Sequence, residues 1–210
     1  MKRLTPLLIA LLMAAPAWAA PVDDAVAGLQ QSWEQIRYQA PAKDREARFE
    51  QLAAKAHQAS EQFPGRAEPL IWEGIVLSSW AGEKGGLGAL GLVKQAKGLY
   101  EKAIALDPKA LDGSALNSLG VLYYKVPGWP IGFGDKGKAR ELLRQALAVN
   151  PQGIDANFFF AEYLVETKQQ AAAMPYLEKV LQAPARPGRQ LADEGRREEA
   201  RALMAQLRKG

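Results

Sequence analysis

Three prolines frame this chain. Pro64, Pro108 and Pro151 recur 44 and 43 residues apart, and each closes the same pattern of small and aliphatic residues. Leu52, Ala56 and Ala59 precede Pro64 at the offsets that Ala96, Tyr100 and Ala103 keep before Pro108, and Ala139, Leu143 and Ala146 before Pro151. Steps of four and three residues put all three side chains on one face of a helix. The proline then stops that helix, because it has no N–H to give. A unit of this size cannot bury its apolar face alone, so successive units must stack.

Each of these second helices needs a first helix to cover it. Leu70, Gly74 and Leu77 form one such stripe, and Leu116, Leu119, Gly120 and Tyr123 form the next. A glycine inside a helix costs about 1 kcal/mol against alanine. Gly74 and Gly120 are therefore expected where a neighbouring helix comes close. A third unit has Phe160, Ala161 and Leu164, then Ala173, Leu177 and Val180, with its closing Pro184 one residue early. Upstream, Val26, Leu29, Trp33 and Ile36 pair with a helix carrying Phe49, Leu52 and Ala56.

Leu119, Gly120 and Tyr123, followed by the alanine, aromatic or leucine, alanine, proline helix, make the chain resemble the tetratricopeptide repeat from about Asp23 to Pro184. The resemblance implies an all-α fold, a right-handed superhelical stack of antiparallel helix pairs. The division it implies is a degenerate N-terminal pair in residues 20–66, three units in 67–184 and a capping helix in 185–210. That last helix follows the break Ala185-Arg186-Pro187-Gly188. It is expected to bury Ala200, Leu203, Met204 and Leu207 and to turn Arg196, Arg197, Glu198, Glu199 and Arg201 to water.

Two units carry long insertions between their helices, at 82–91 and 126–135, and both should emerge on the same edge of the stack. The first is glycine-rich; the second holds Pro127, Pro130 and the aromatics Trp129 and Phe133. Loops of this length with apolar content either bind or pack on themselves. Trp129, Ile131 and Phe133 accordingly either rim a binding groove or fold back on the helices. Gly86, Gly88 and Gly91 match a dinucleotide-binding pattern, but that pattern works after a strand, and here a helix precedes it. Gly132, Gly137 and Lys138 match a phosphate loop, yet Ala139 stands where magnesium binding needs Ser or Thr. Asp135 reads instead as the N-cap of the next helix.

The first-helix face that lines the concave groove in proteins of this kind would carry Ile71, Asn117, Tyr124, Phe158 and Glu162. Phe158 and Phe160 point about 200° apart on a helix, so they cannot share one buried stripe. Phe160 is assigned to the core and Phe158 to the groove, with Trp129 and Phe133 on its rim. An amide beside apolar surface suits an extended peptide backbone. The expected function is thus a non-catalytic scaffold that holds a protein or peptide.

Chemistry has little to work with. The chain has no cysteine and one histidine, His57, and its carboxylates are interleaved with Lys and Arg on polar helix faces. No metal or cofactor is expected. The formal charge is +4, and +2 once Lys2 and Arg3 are removed with the N-terminal segment, which is no footprint for nucleic acid. That segment has a basic start, an apolar run over Leu4 to Ala15, and small residues at Ala17 and Ala19. It reads as a signal peptide cleaved after Ala19, leaving a periplasmic or secreted chain without a stable membrane anchor. The insertions, and the ending Leu191-Ala192-Asp193 before an Arg- and Ala-rich helix, are similar to the periplasmic T-component family of TRAP-type uptake systems. That similarity implies an alternative role, handling a small-molecule ligand. The chain departs from the family in lacking a lipid-anchor cysteine.

Overall fold

A computed structural model describes residues 21–209, and the expected signal peptide and its cleavage site lie outside them. Among the described residues there are nine helices and no strand. They are α1 (Pro21–Gln39), α2 (Ala42–Gln62), α3 (Ala67–Lys84), α4 (Gly88–Leu106), α5 (Ala110–Lys125), α6 (Lys136–Val149), α7 (Ile154–Glu166), α8 (Gln170–Gln182) and α9 (Gln190–Leu207). Helices α2, α4 and α6 each end two residues before Pro64, Pro108 and Pro151, as the missing N–H requires. Each packs on the helix before it, and the pairs stack on one another.

The repeat positions form the core. Ala56, Ala96, Tyr100, Ala103, Ala139, Leu143 and Ala146 are fully buried. The glycines opposite them are points of close approach: a Cβ on Gly74 would lie 2.5 Å from Tyr100 Cε1, and one on Gly120 would lie 2.8 Å from Leu143 Cγ. Tyr100 brings its hydroxyl into this core, where it meets Ser78 Oγ at 3.0 Å, and burial pushes its pKa up.

The insertions behave differently from each other. Most of 82–91 is helix, because α3 runs on to Lys84 and α4 begins at Gly88; only Gly85, Gly86 and Leu87 connect them. Gly85 and Gly86, with φ of 62° and 59°, supply the left-handed turn that lets both helices extend. Pro127 and Pro130 prevent the same in 126–135, which is a true loop. Of its three large apolar residues only Phe133 folds back, edge-on to Tyr123 with centroids 5.6 Å apart, while Trp129 and Ile131 are exposed.

Helix α9 departs furthest from expectation. It packs on α8 and α7 and also reaches α1, so the last helix meets the first and the stack closes on itself. Ala200 and Met204 are buried as expected, and Glu198 and Arg201 face water. Arg196, however, is buried, and Gly195 lies against α1, where a Cβ would fall 2.3 Å from Tyr38 Cε1. A helix with neighbours on both sides cannot keep its whole charged face in water.

Candidate functional site

Closing the stack leaves a partly open central cleft of about 940 Å3, walled mainly by the first helix of each pair, α1, α3, α5 and α7, and by α9. Its apolar wall is aromatic. Trp33 stands edge-on to both Trp72 and Tyr38, with centroids 6.1 and 5.9 Å apart, and its indole N–H donates to Ser79 Oγ at 2.8 Å. Phe158 and Phe159 pack edge-on to each other on the opposite side. Beside them α5 opens with an unusual turn: Leu111, Asp112 and Gly113 take φ of 47°, 57° and 77° before the helix becomes right-handed. Two of these are not glycine, and each such residue in the left-handed region costs roughly 1–2 kcal/mol. The strain is stored where Leu111 and Asp112 line the cleft.

A charged seam seals one end. The Arg196 guanidinium lies 4.6 and 4.4 Å from the ring centroids of Phe158 and Phe159 and donates from Nε to Asp155 Oδ1 at 2.9 Å. Arg186 donates to Asp155 at 2.8 Å and to the fully buried Asp193 at 2.7 Å. Burial alone would raise the Asp155 carboxyl, but Arg196 and Arg186 outweigh it and hold its pKa well below the usual range. From α1, the buried Glu34 accepts the Ala192 N–H at 3.2 Å, capping the first turn of α9 across the closure. Arg189 stands 3.5 Å from the same carboxylate and 5.2 Å from the Trp72 ring centroid. Toward the other ends of the helices, Glu162 pairs with Lys125 at 3.1 Å and accepts the Tyr124 hydroxyl at 2.5 Å. Burial first, and Glu162 next, push that hydroxyl's pKa well up.

Three lining residues hold buried polar atoms with no hydrogen-bond partner: the Tyr38 hydroxyl, Trp72 Nε1 and Asn117 Oδ1. Leaving such a group unmade costs about 1–3 kcal/mol each. They sit on α1, α3 and α5, three neighbouring walls of the cleft.

The expected site residues divide accordingly. Asn117, Phe158 and Glu162 line the cleft. Phe158 is nevertheless a buried residue, not a surface one, because Arg196 of α9 covers it. Ile71 is fully buried in the core and Tyr124 is nearly so; neither lines the cleft. Trp129 and Phe133 are not on its rim: the loop that bears them lies against α4, with Lys97 Nζ 5.9 Å from the Phe133 ring centroid. His57, the one histidine, has Glu73 2.9 Å from its Nδ1, which raises its pKa.

No protein-family model matches the chain, and no curated protein matches it significantly.

Sequence reasoning missed Trp33, Tyr38, Trp72 and the arginines of the seam as cleft residues. Trp33 was legible as a core residue only, because its stripe gives no sign that one edge stays on a cavity. Gly195 carried a usable signal. A glycine between Glu194 and Arg196 in a helix rich in good helix formers marks a close approach, as Gly74 and Gly120 do.

Proposed function

We propose that this chain is a non-catalytic binding protein that takes a compact ligand into the central cleft. The ligand would have an apolar body for the Trp and Phe walls, and polar atoms for the polar residues of the lining such as Asn117. The observation that carries the reading is the partly open cavity of about 940 Å3 itself, with an aromatic wall and a few polar residues, Asn117 among them, in its lining. Known ligand sites have this size and this mix of apolar lining with a few placed polar groups. The charged residues of the cleft are largely engaged with one another, which suits holding a shape more than moving a proton.

In this reading the helix pairs are tetratricopeptide-like repeats in a right-handed superhelix. The protein acts in the cell envelope after export, in the ligand-handling role that the similarity to the TRAP T-component suggests. An extended peptide fits less well, since α9 lies along the concave side that it would occupy. The test is native mass spectrometry of the chain purified from its own host, alongside Asn117→Leu. A bound small molecule that the variant loses supports the proposal. A chain that emerges empty, and whose melting temperature no fraction of host extract raises, refutes it.

A further inference from the structure

The loop 126–135 is built to hold two apolar side chains out in water. Its backbone folds tightly: Gly134 N–H donates to Pro127 O at 2.9 Å, Gly132 N–H to Gly128 O at 3.1 Å, and Asp135 N–H to Tyr123 O at 2.8 Å. A Cβ on Gly134 would lie 2.0 Å from Val126 O, and one on Gly132 would lie 2.5 Å from Pro127 O, so the two sides of the loop press together with no room for side chains. Phe133 anchors the base on Tyr123. The result is a fixed tip at which Trp129 is 90% and Ile131 60% exposed. Leu87, 82% exposed, leaves the same end of the stack, because α3 and α5 pack side by side and end at Lys84 and Lys125.

Basic side chains predominate around this end. Residues 84–97 and 125–140 hold seven, of which Lys84, Lys97 and Lys125 are paired with Glu46, with Glu101, and with Glu162 and Glu166; the one acidic residue within these segments is Asp135. That carboxylate is already used, accepting the N–H groups of Gly137 and Lys138 as the N-cap of α6. Lys94, Lys136, Lys138 and Arg140 are exposed and make no ion pair among the described residues.

We propose that this end of the molecule docks reversibly on an anionic phospholipid bilayer, with Trp129 and Ile131 inserted at the headgroup level and the lysines against the lipid phosphates. Tryptophan favours the membrane–water interface, where its ring is buried and its N–H stays wet. Basic residues beside an anionic leaflet add a factor of roughly five in binding each. A convex tip of two side chains is small for a protein partner, which asks for on the order of 1,200 Å2 of matched surface. A bilayer asks only for a short apolar insertion and a cationic collar. Because no described helix is long and apolar enough to cross a membrane, contact through these residues is peripheral.

The chain has no cysteine, so a single one reports on one place. Ile131→Cys, labelled with an environment-sensitive dye, is mixed with vesicles of phosphatidylcholine alone or of equal parts phosphatidylcholine and phosphatidylglycerol. Lys109→Cys, at the opposite ends of the helices, is the control. A blue shift at position 131 with the anionic vesicles, absent at 109 and weakened more than about tenfold by Lys136→Gln with Lys138→Gln, supports the proposal. No shift at 131, as an acidic protein partner would leave it, or equal shifts at both positions, overturns it. All four substitutions alter exposed side chains, and matching melting temperatures establish that the fold is intact.

Discussion

Gly195→Ala probes the closure of the stack, and its expected effect can be worked from the structure. The added Cβ would lie 2.3, 2.4 and 2.6 Å from Cε1, Cδ1 and Cζ of Tyr38, where carbon atoms in contact stand about 3.5–4.0 Å apart. The ring must therefore retreat by more than about 1 Å, yet Trp33 lies edge-on behind it at 5.9 Å and its hydroxyl is buried. Overpacking of this kind costs roughly 1–3 kcal/mol. Replacing a helical glycine by alanine returns about 1 kcal/mol of helix propensity. The net expectation is a loss of up to about 2 kcal/mol in the wild-type background. With Tyr38→Ala the obstacle is gone and only the propensity gain remains, so the same substitution becomes stabilising by about 1 kcal/mol. Urea unfolding of the four proteins of this double-mutant cycle measures the coupling. If Gly195→Ala stabilises both backgrounds equally, α1 and α9 do not touch at this point and the closed stack is wrong.

Gly120→Leu should cost several kcal/mol in urea unfolding, since its side chain would enter Leu143 and lie against the α6 backbone, which has no space to give. Phe158→Ala should cost about 3–5 kcal/mol, as for a buried phenylalanine, and should leave Arg196 without its aromatic support; a change below about 1 kcal/mol would restore Phe158 to the surface. Acid should weaken the seam. Because the folded pKa of Asp155 is depressed, its contribution is complete above its ordinary pKa of 3.8 and is lost as pH falls through and below that value. Asp155→Asn should therefore flatten the fall in stability on the acid side, measured by melting temperature from about pH 5 downward; a parallel curve would show that Asp155 titrates normally.

Much of the architecture is legible in the sequence. Ala139, Leu143 and Ala146 announce a helix face by spacing alone, Pro151 announces its end, and Gly120 announces the partner, because each is a local property of a recurring unit. The site was legible only in part. Asn117 and Glu162 could be placed on an inner face, since helical periodicity assigns faces. Phe158 was placed on the right wall with the wrong exposure, because what covers it is Arg196, 38 residues on. The insertion at 82–91, a loop by its glycine content, is mostly helix, since two consecutive left-handed glycines, Gly85 and Gly86, make so short a turn that both helices extend into it.

The sequence by itself determined the helices and their pairing, because periodic apolar faces and prolines act within one repeat and need only the adjacent helix to be satisfied. Only the tertiary structure decided that the stack closes. That closure rests on contacts between residues more than 150 positions apart, Glu34 with the first turn of α9 and Tyr38 with Gly195. On its own helix Glu34 is an acid on a polar face, and Gly195 marks a close approach without saying which helix approaches. Whether such groups meet depends on the small rotation added at every repeat, which sums along the stack and which no single repeat encodes.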